Sequence, residues 1–354
     1  MKNIVKVTSL CLAVIMLAVS LCSCGMILPG NIGFDFSELF DWDMPWFDFG
    51  EDDETDSGGY IDRDTEEDPI VEGEFRERIL LVTDFHYIKD WYGVSDENRM
   101  ELMVAHINAE HKKDPVSMIV FMGDYSLDHW KWNIKGCWLT EGKSNTRTFA
   151  QSYVAQLEKL GVPIVMIAGN HEQYGEALWT ELTGYRRRDH LVCGDILFIL
   201  PDTFGVDLDP TEHSDGTYCP AQIGFIREMM ARYPDKKVVL CAHHFAPERE
   251  SEELRRLVRE DDRILCLFGG HVHRSAVVAL GEEWGNKALL YTGNYSYNTG
   301  KEADAETSFW GFRDLIIDGD TMTSRYITPE NAAVIEGKQI LHAYGVQDVY
   351  QRKI

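Results

Sequence analysis

The chain has 354 residues, 44% of them hydrophobic, and a formal net charge of −25, so it is long enough to bury a full core in one large domain or two smaller ones. The acidity is uneven: residues 31–75 hold seventeen Asp or Glu against Arg63 alone, whereas residues 1–30 carry only Lys2 and Lys6. A net acidic surface argues against a duplex nucleic-acid binder, which needs clustered Lys and Arg, but leaves phosphate chemistry open because bound cations supply positive charge locally.

At the N-terminus, Lys2 and Lys6 precede an uncharged run from Val7 to Leu21, the layout of a secretory signal peptide. The run leads into Leu21-Cys22-Ser23-Cys24-Gly25, which resembles the lipobox of bacterial lipoproteins and implies cleavage before Cys24 and lipidation of that residue. Residues 1–23 are then a lipoprotein signal peptide and the protein is lipid-anchored. The alternative is a single N-terminal transmembrane anchor left uncleaved, since no charge follows Lys6 until Asp35. Either arrangement puts the body outside the cytoplasm, at a bacterial cell membrane. Residues 24–74 mix acids with Gly, Ser and aromatics and read as a disordered spacer.

From Phe75 onward short apolar runs alternate with amphipathic stretches, the pattern of an α/β domain. In chain order, strands are expected at Ile79–Thr83, Met118–Met122, Pro163–Ala168, Lys237–Ala242 and Ile264–Phe268, with helices at Asp96–His111, Thr148–Leu160, Ala221–Tyr233 and Glu252–Arg259. Lys287–Gly293, Trp310–Ile317 and Met322–Ile327 read as further strands, the last two joined by a turn at Asp318-Gly319-Asp320. The domain spans residues 75–330, with 331–354 a C-terminal extension. No C-x-x-C pair occurs among the eight cysteines, and Cys241 and Cys266 fall inside apolar runs as small core residues.

Each of the first five strands ends on side chains that bind metals. The ends read Asp84-Phe85-His86, Gly123-Asp124, Gly169-Asn170-His171-Glu172, His243-His244 and Gly269-Gly270-His271-Val272-His273. Open α/β sheets bind ligands at the carboxyl ends of their strands, where the outgoing loops converge. The period of two in Asp84-x-His86 and His271-x-His273 points both side chains of each pair to one side. Asp124 offers two oxygens to neighbouring cations, and Asn170 a neutral carbonyl oxygen. Mixed nitrogen and oxygen donors suit Mn, Zn, Fe or Co better than Ca.

A lone D-x-H or H-x-H is a weak signal, but six of the twelve histidines fall in these five segments. In this order they resemble the motif blocks of the calcineurin-like metallophosphoesterases. The resemblance implies a four-layer α-β-β-α sandwich, two mixed sheets flanked by helices, and a hydrolase that cleaves phosphate esters with two divalent metal ions and a metal-bound hydroxide. It implies Asp84, His86, Asp124 and His273 around the first ion, and Asp124, Asn170, His243 and His271 around the second. His171 would contact the phosphate and assist the leaving group, with Glu172 or other nearby acids orienting it. His243 and His244 compete for one ligand position, the first favoured by family pattern. Leu127 stands where purple acid phosphatases carry a metal-bound Tyr, so a tyrosinate-iron site is not expected.

The substrate is expected to be a small-molecule phosphate ester, with phosphodiesters favoured over monoesters. His244, Trp130 and Tyr174 are candidate substrate contacts, and Tyr291 to Tyr297, with Asn294, candidates for the rim. A non-catalytic surface protein that keeps the fold is the alternative, and its mark would be a lost ligand, which this sequence lacks.

Overall fold

The computed structural model describes residues 76–87, 96–126, 139–208, 216–295, 310–329, 334–335, 338–339 and 349–354. The signal peptide, Cys24, the spacer and Trp130 lie outside them. Two six-stranded sheets carry the fold. The first has the order β14-β11-β10-β1-β2-β3, from β1 (Arg76–Val82), β2 (Met118–Phe121), β3 (Ile164–Met166), β10 (Phe312–Asp318), β11 (Thr321–Ile327) and β14 (Val349–Lys353). The second runs β4-β5-β6-β7-β9-β8, from β4 (Asp189–Cys193), β5 (Ile196–Leu200), β6 (Lys237–Cys241), β7 (Ile264–Gly269), β8 (Ser275–Ala279) and β9 (Ala288–Thr292). Among the described residues, the short strands β12 (Val334–Ile335) and β13 (Lys338–Gln339) pair only with each other. In the second sheet the four central strands are parallel and an antiparallel strand closes each edge, whereas in the first β1, β2 and β3 run parallel and β10, β11 and β14 pair antiparallel.

Alternation along the strands builds the layers. Ile79, Leu81, Met118, Val120 and Val165 of the first sheet meet Ile196, Phe198, Val239, Cys241, Cys266 and Phe268 of the second in one buried cluster. The intervening residues face outward. Leu80, Val82, Ile119 and Phe121 pack under α1 (Asp96–Lys113) and α2, which begins at Leu139–Thr148. Leu197, Ile199, Val238 and Leu240 pack under α4 (Ile223–Arg232) and α5 (Glu252–Glu260). Strands covered on both faces read as continuous apolar runs because neither face meets water, and each fully buried aliphatic side chain contributes about 1.5–3 kcal/mol.

Local chemistry fixes the helix ends. Ser251 accepts a hydrogen bond from the Leu254 amide at 3.1 Å, and Glu252 and Glu253 occupy the first turn of α5 against the positive end of its dipole. The second expected helix starts at Leu139, nine residues before Thr148, and passes through a wider π turn at Phe149–Val154 before ending near Leu160. Gly161 closes it at φ 71°, a left-handed position natural to glycine.

Elements that the sequence reading does not anticipate include β4, β5, α3 (Glu176–Thr183) and β8. The segment expected as a C-terminal extension contributes β14, which pairs with β11 as the edge of the first sheet.

Candidate metal centre

The loops leaving β1, β2, β3, β6 and β7 bring the candidate side chains together. Ligand atoms of Asp84, His86, Asp124 and His273 all lie within 4.8 Å of one another, and so do those of Asp124, His243 and His271. Asp124 belongs to both groups. Its Oδ1 accepts the His171 amide at 3.1 Å, while Oδ2 stands 3.6 Å from His86 Nε2 and 3.2 Å from His243 Nε2. One carboxylate oxygen, instead of the two expected, therefore lies between the groups. Asn170 Oδ1 is 2.9 Å from both His243 Nε2 and His271 Nδ1. His86 Nε2 and His273 Nε2 face each other at 3.1 Å, with Asp84 Oδ1 3.3 Å from the latter.

Unusual backbone conformations deliver these side chains. Asp84, His86, Asp124, His271 and His273 all have positive φ, between 46° and 67°. Non-glycine residues rarely adopt this region, at a cost of about 1–3 kcal/mol each. Five candidate ligands share it, so the surrounding bonds must hold them there. Thr83 Oγ1 and the His271 amide each donate to Asp84 Oδ2 at 2.9 Å. The Phe85 and His86 amides donate to the Asp124 carbonyl, and Asn294 Nδ2 donates to the His273 carbonyl at 2.7 Å. Space is equally constrained: a Cβ on Gly169 would lie 2.3 Å from Asp124 Oδ1, and one on Gly270 would lie 2.3 Å from Thr83 Oγ1.

The donor set fits cations. Asp84 and Asp124 are fully buried, yet Asp84 Oδ1 and Asp124 Oδ2 have no hydrogen-bond partner. A buried carboxylate oxygen left unpaired is costly, and these two point toward imidazole nitrogens, an arrangement that a cation completes. Burial pushes both carboxyl groups up, but the surrounding histidines outweigh it and leave both below the usual range. Burial pushes the His86 imidazole down, and burial with the neighbouring His243 pushes His271 down to about 4. Both rings are then neutral and present lone pairs.

His243 and His244 meet different surroundings. His243 Nδ1 is 2.8 Å from the Met122 carbonyl, which only accepts, so Nδ1 carries the hydrogen and Nε2 faces Asp124 and Asn170. His244 turns its ring to the side of His271, 4.6 Å between centroids, and beside Tyr218 and Tyr291. Burial pushes it down to about 3.

Other expectations change. Tyr174, expected to touch substrate, is 2% exposed and belongs to the core over the first sheet, where its hydroxyl lies 3.4 Å from Thr146 Oγ1. Trp179 and Tyr295 are buried in the same cluster. The Glu172 carboxylate accepts the amides of Gly169, Asp124 and Tyr125, each at 2.8 Å, and so pins the loop that carries Asp124. The Tyr125 hydroxyl bonds the backbone of Gly123, Phe121 and Ile167.

Two supports went unrecognised in the sequence. Phe204 packs its ring against His243 and His271 at 5.7 and 5.8 Å. Arg187 binds the loops that follow β3 and β5. Neither carries a motif. The only sequence hint is the position of Phe204 just beyond the apolar run Ile196–Leu200.

Two mixed sheets that converge carboxylates, imidazoles and a carboxamide at their strand ends define a metal-dependent phosphoesterase. The calcineurin-like phosphoesterase family model matches residues 77–275, more than half of the chain, and the chain belongs to that family. Among solved structures it is similar to a dimetal phosphatase from Danio rerio, at 12% identity over 71% of this chain and 95% of that one, with a TM-score of 0.51. It is also similar to PhoD, at 10% identity over 78% of this chain and 70% of that one, with a TM-score of 0.50. At such identity the likeness is one of fold. Comparison with curated protein sequences gave no match.

Proposed function

We propose that this phosphoesterase hydrolyses phosphodiesters in preference to monoesters, using two divalent cations of the Mn, Zn, Fe or Co type. Asp84, His86, Asp124 and His273 would hold the first, and Asp124, Asn170, His243 and His271 the second. The observation that carries this reading is Asp124 Oδ2, buried, without a hydrogen bond and placed between His86 and His243. Such a cation pair, when bound, activates water for in-line attack and neutralises charge on the phosphoryl oxygens.

The remaining work falls to the chain's own groups. His171 Nε2 stands 3.8 Å from Asp124 Oδ2 on the side of His86, ring centroids 4.8 Å apart. From there it reaches a phosphate at the centre and donates a proton to the departing oxygen. The rings beside the second group, His244, Phe204, Tyr218 and Tyr291, are aromatic. These rings offer an apolar face to the second ester group that a diester carries and a monoester lacks, with Arg249 over the Tyr218 ring at 4.7 Å as the charge beside them.

The test is turnover of an aryl phosphate diester and the matching monoester with Mn or Zn added. Wild type should prefer the diester, and Asp124→Asn should lower turnover about a thousandfold. A protein that takes up no metal and turns over neither ester would end the reading, while a monoester preference would overturn only the finer part.

We further propose that the protein acts outside the cytoplasm, held to the membrane by a lipid on Cys24. Among the described residues no helix is long and apolar enough to cross a membrane. Cys24→Ala should release the protein from the membrane fraction, and retention would favour the transmembrane alternative.

A further inference from the structure

Arg187 stands between α3 and β4, where the chain passes from the first sheet to the second, and is 3% exposed. Of the three consecutive arginines Arg186, Arg187 and Arg188, it alone is buried. A guanidinium offers five N–H donors in a rigid plane, and here all five are engaged. Nε and one Nη2 hydrogen donate to the two carboxylate oxygens of Asp202, at 2.7 and 3.3 Å. Nη2 also donates to the Phe204 carbonyl at 3.1 Å, and Nη1 donates to the carbonyls of Tyr174, at 2.8 Å, and Glu172.

Each end of this clamp supports one half of the centre. Glu172, held by its carbonyl, uses its carboxylate to pin the Gly169, Asp124 and Tyr125 amides, which sets the position of Asp124. Phe204, held by its carbonyl, also donates its amide to Asp202 Oδ1 at 3.0 Å and backs the rings of His243 and His271. Asp124 arrives on the first sheet and the two histidines on the second. Arg187 joins the two supports through one planar group.

We propose that Arg187 is a positioning residue that sets Asp124 in register with His243 and His271, so that a single carboxylate oxygen serves both cations. The inference rests on the two-cation reading above. A lysine supplies three donors from a point charge and cannot reproduce the fork. If Arg187 only satisfied buried carbonyls, its loss would lower stability and leave metal binding alone.

Arg263 provides the internal control. It makes a similar fork, on Asp261 and on the carbonyls of Met230 and Pro234 beside α4 and α5, and touches nothing in the centre. Wild type, Arg187→Lys, Asp202→Asn and Arg263→Lys would be titrated with Mn²⁺ alone by calorimetry, with electron paramagnetic resonance reporting coupling between bound ions and thermal melts reporting stability. Wild type should bind two coupled Mn²⁺ ions. Arg187→Lys should lose roughly 10- to 100-fold in affinity for the weaker ion, together with the coupling signal, and turnover of an aryl diester should fall in parallel. Asp202→Asn, which keeps the shape and weakens the fork, carries the same expectation should the lysine variant not fold. Arg263→Lys should lower only the melting temperature. An Arg187→Lys or Asp202→Asn protein with a lowered melting temperature but an unaltered Mn²⁺ titration overturns the clamp alone. A wild type that binds fewer than two Mn²⁺ ions overturns the clamp together with the reading on which it rests.

Discussion

Strand β1 carries two buried electrostatic sites, one near each end, and they are resolved in opposite ways. Near its start, Arg78 is 1% exposed and all five of its donors are satisfied, by the Asp314 carboxylate, the Glu110 carboxylate and the carbonyls of Glu110 and Asp114. Just past its end, Asp84 is fully buried with Oδ1 unpaired, and Asp124 on the adjacent loop repeats the pattern. The strained backbone follows the same division: five candidate ligands sit at positive φ at the strand ends, and none of the Arg78 partners does. Charge that only supports the fold is matched internally. Charge kept for chemistry is left for a partner that the chain does not encode.

The largest effects should separate these two ends. Asp124→Asn removes the shared oxygen and costs catalysis about a thousandfold, with the fold retained. Arg78→Met removes the buried partner of the Asp314 and Glu110 carboxylates, leaves them only Arg325 and Lys113, and should cost about 3 kcal/mol of stability, measured by urea unfolding. Its Mn²⁺ titration should match wild type. A fall in Mn²⁺ affinity in Arg78→Met would break the division, because it would tie the far end of the strand to the centre.

How much of this was legible depends on whether the chemistry was written into residue types or into bonds. The five strand ends could be read because each apolar run stops on Asp, Asn or His, and the same runs gave β1, β2, β3, β6 and β7 to within a few residues. Strand β5 has an equally apolar run, Ile196–Leu200, but ends on Pro201 and no ligand marks it. Strands β8 and β14 are edges and largely exposed, and β14 is short of apolar residues, so their pairing decides them more than their composition. The Glu172 carboxylate could have reached either His171 or the amides beneath Asp124, and only the fold brings those amides within 2.8 Å. Tyr174 adjoins the histidine motif in sequence, yet the chain turns its ring into the core. The hydrogen on His243 Nδ1 is fixed by one backbone carbonyl, Met122, 121 residues away along the chain.

The smallest expected effect is a pH dependence that runs in opposite directions at the two ends. Burial pushes Glu110 up, but hydrogen bonds from Lys113 and Arg78 outweigh it and hold the carboxyl below its ordinary 4.5. A group lowered on folding stabilises above its unfolded value, so this contribution is present at neutral pH and is lost as pH falls below 4.5. His243 behaves in reverse. Burial pushes it down, but the Asp124 carboxylate outweighs that and raises it from 6.5 to about 9. In the metal-free protein its contribution is complete below 6.5 and disappears as pH rises through about 9. A cation at Nε2 must displace that proton, so Mn²⁺ affinity should climb between pH 6.5 and 9 and then level off. Bound metal stabilises by about 2.7 kcal/mol at a hundredfold excess over Kd. The rise in melting temperature on adding a fixed Mn²⁺ concentration should therefore widen across that interval. A rise that stays flat from pH 6.5 to 9 would mean that the proton on His243 and the cation do not compete for the same nitrogen, and His243 would then lose its place among the ligands.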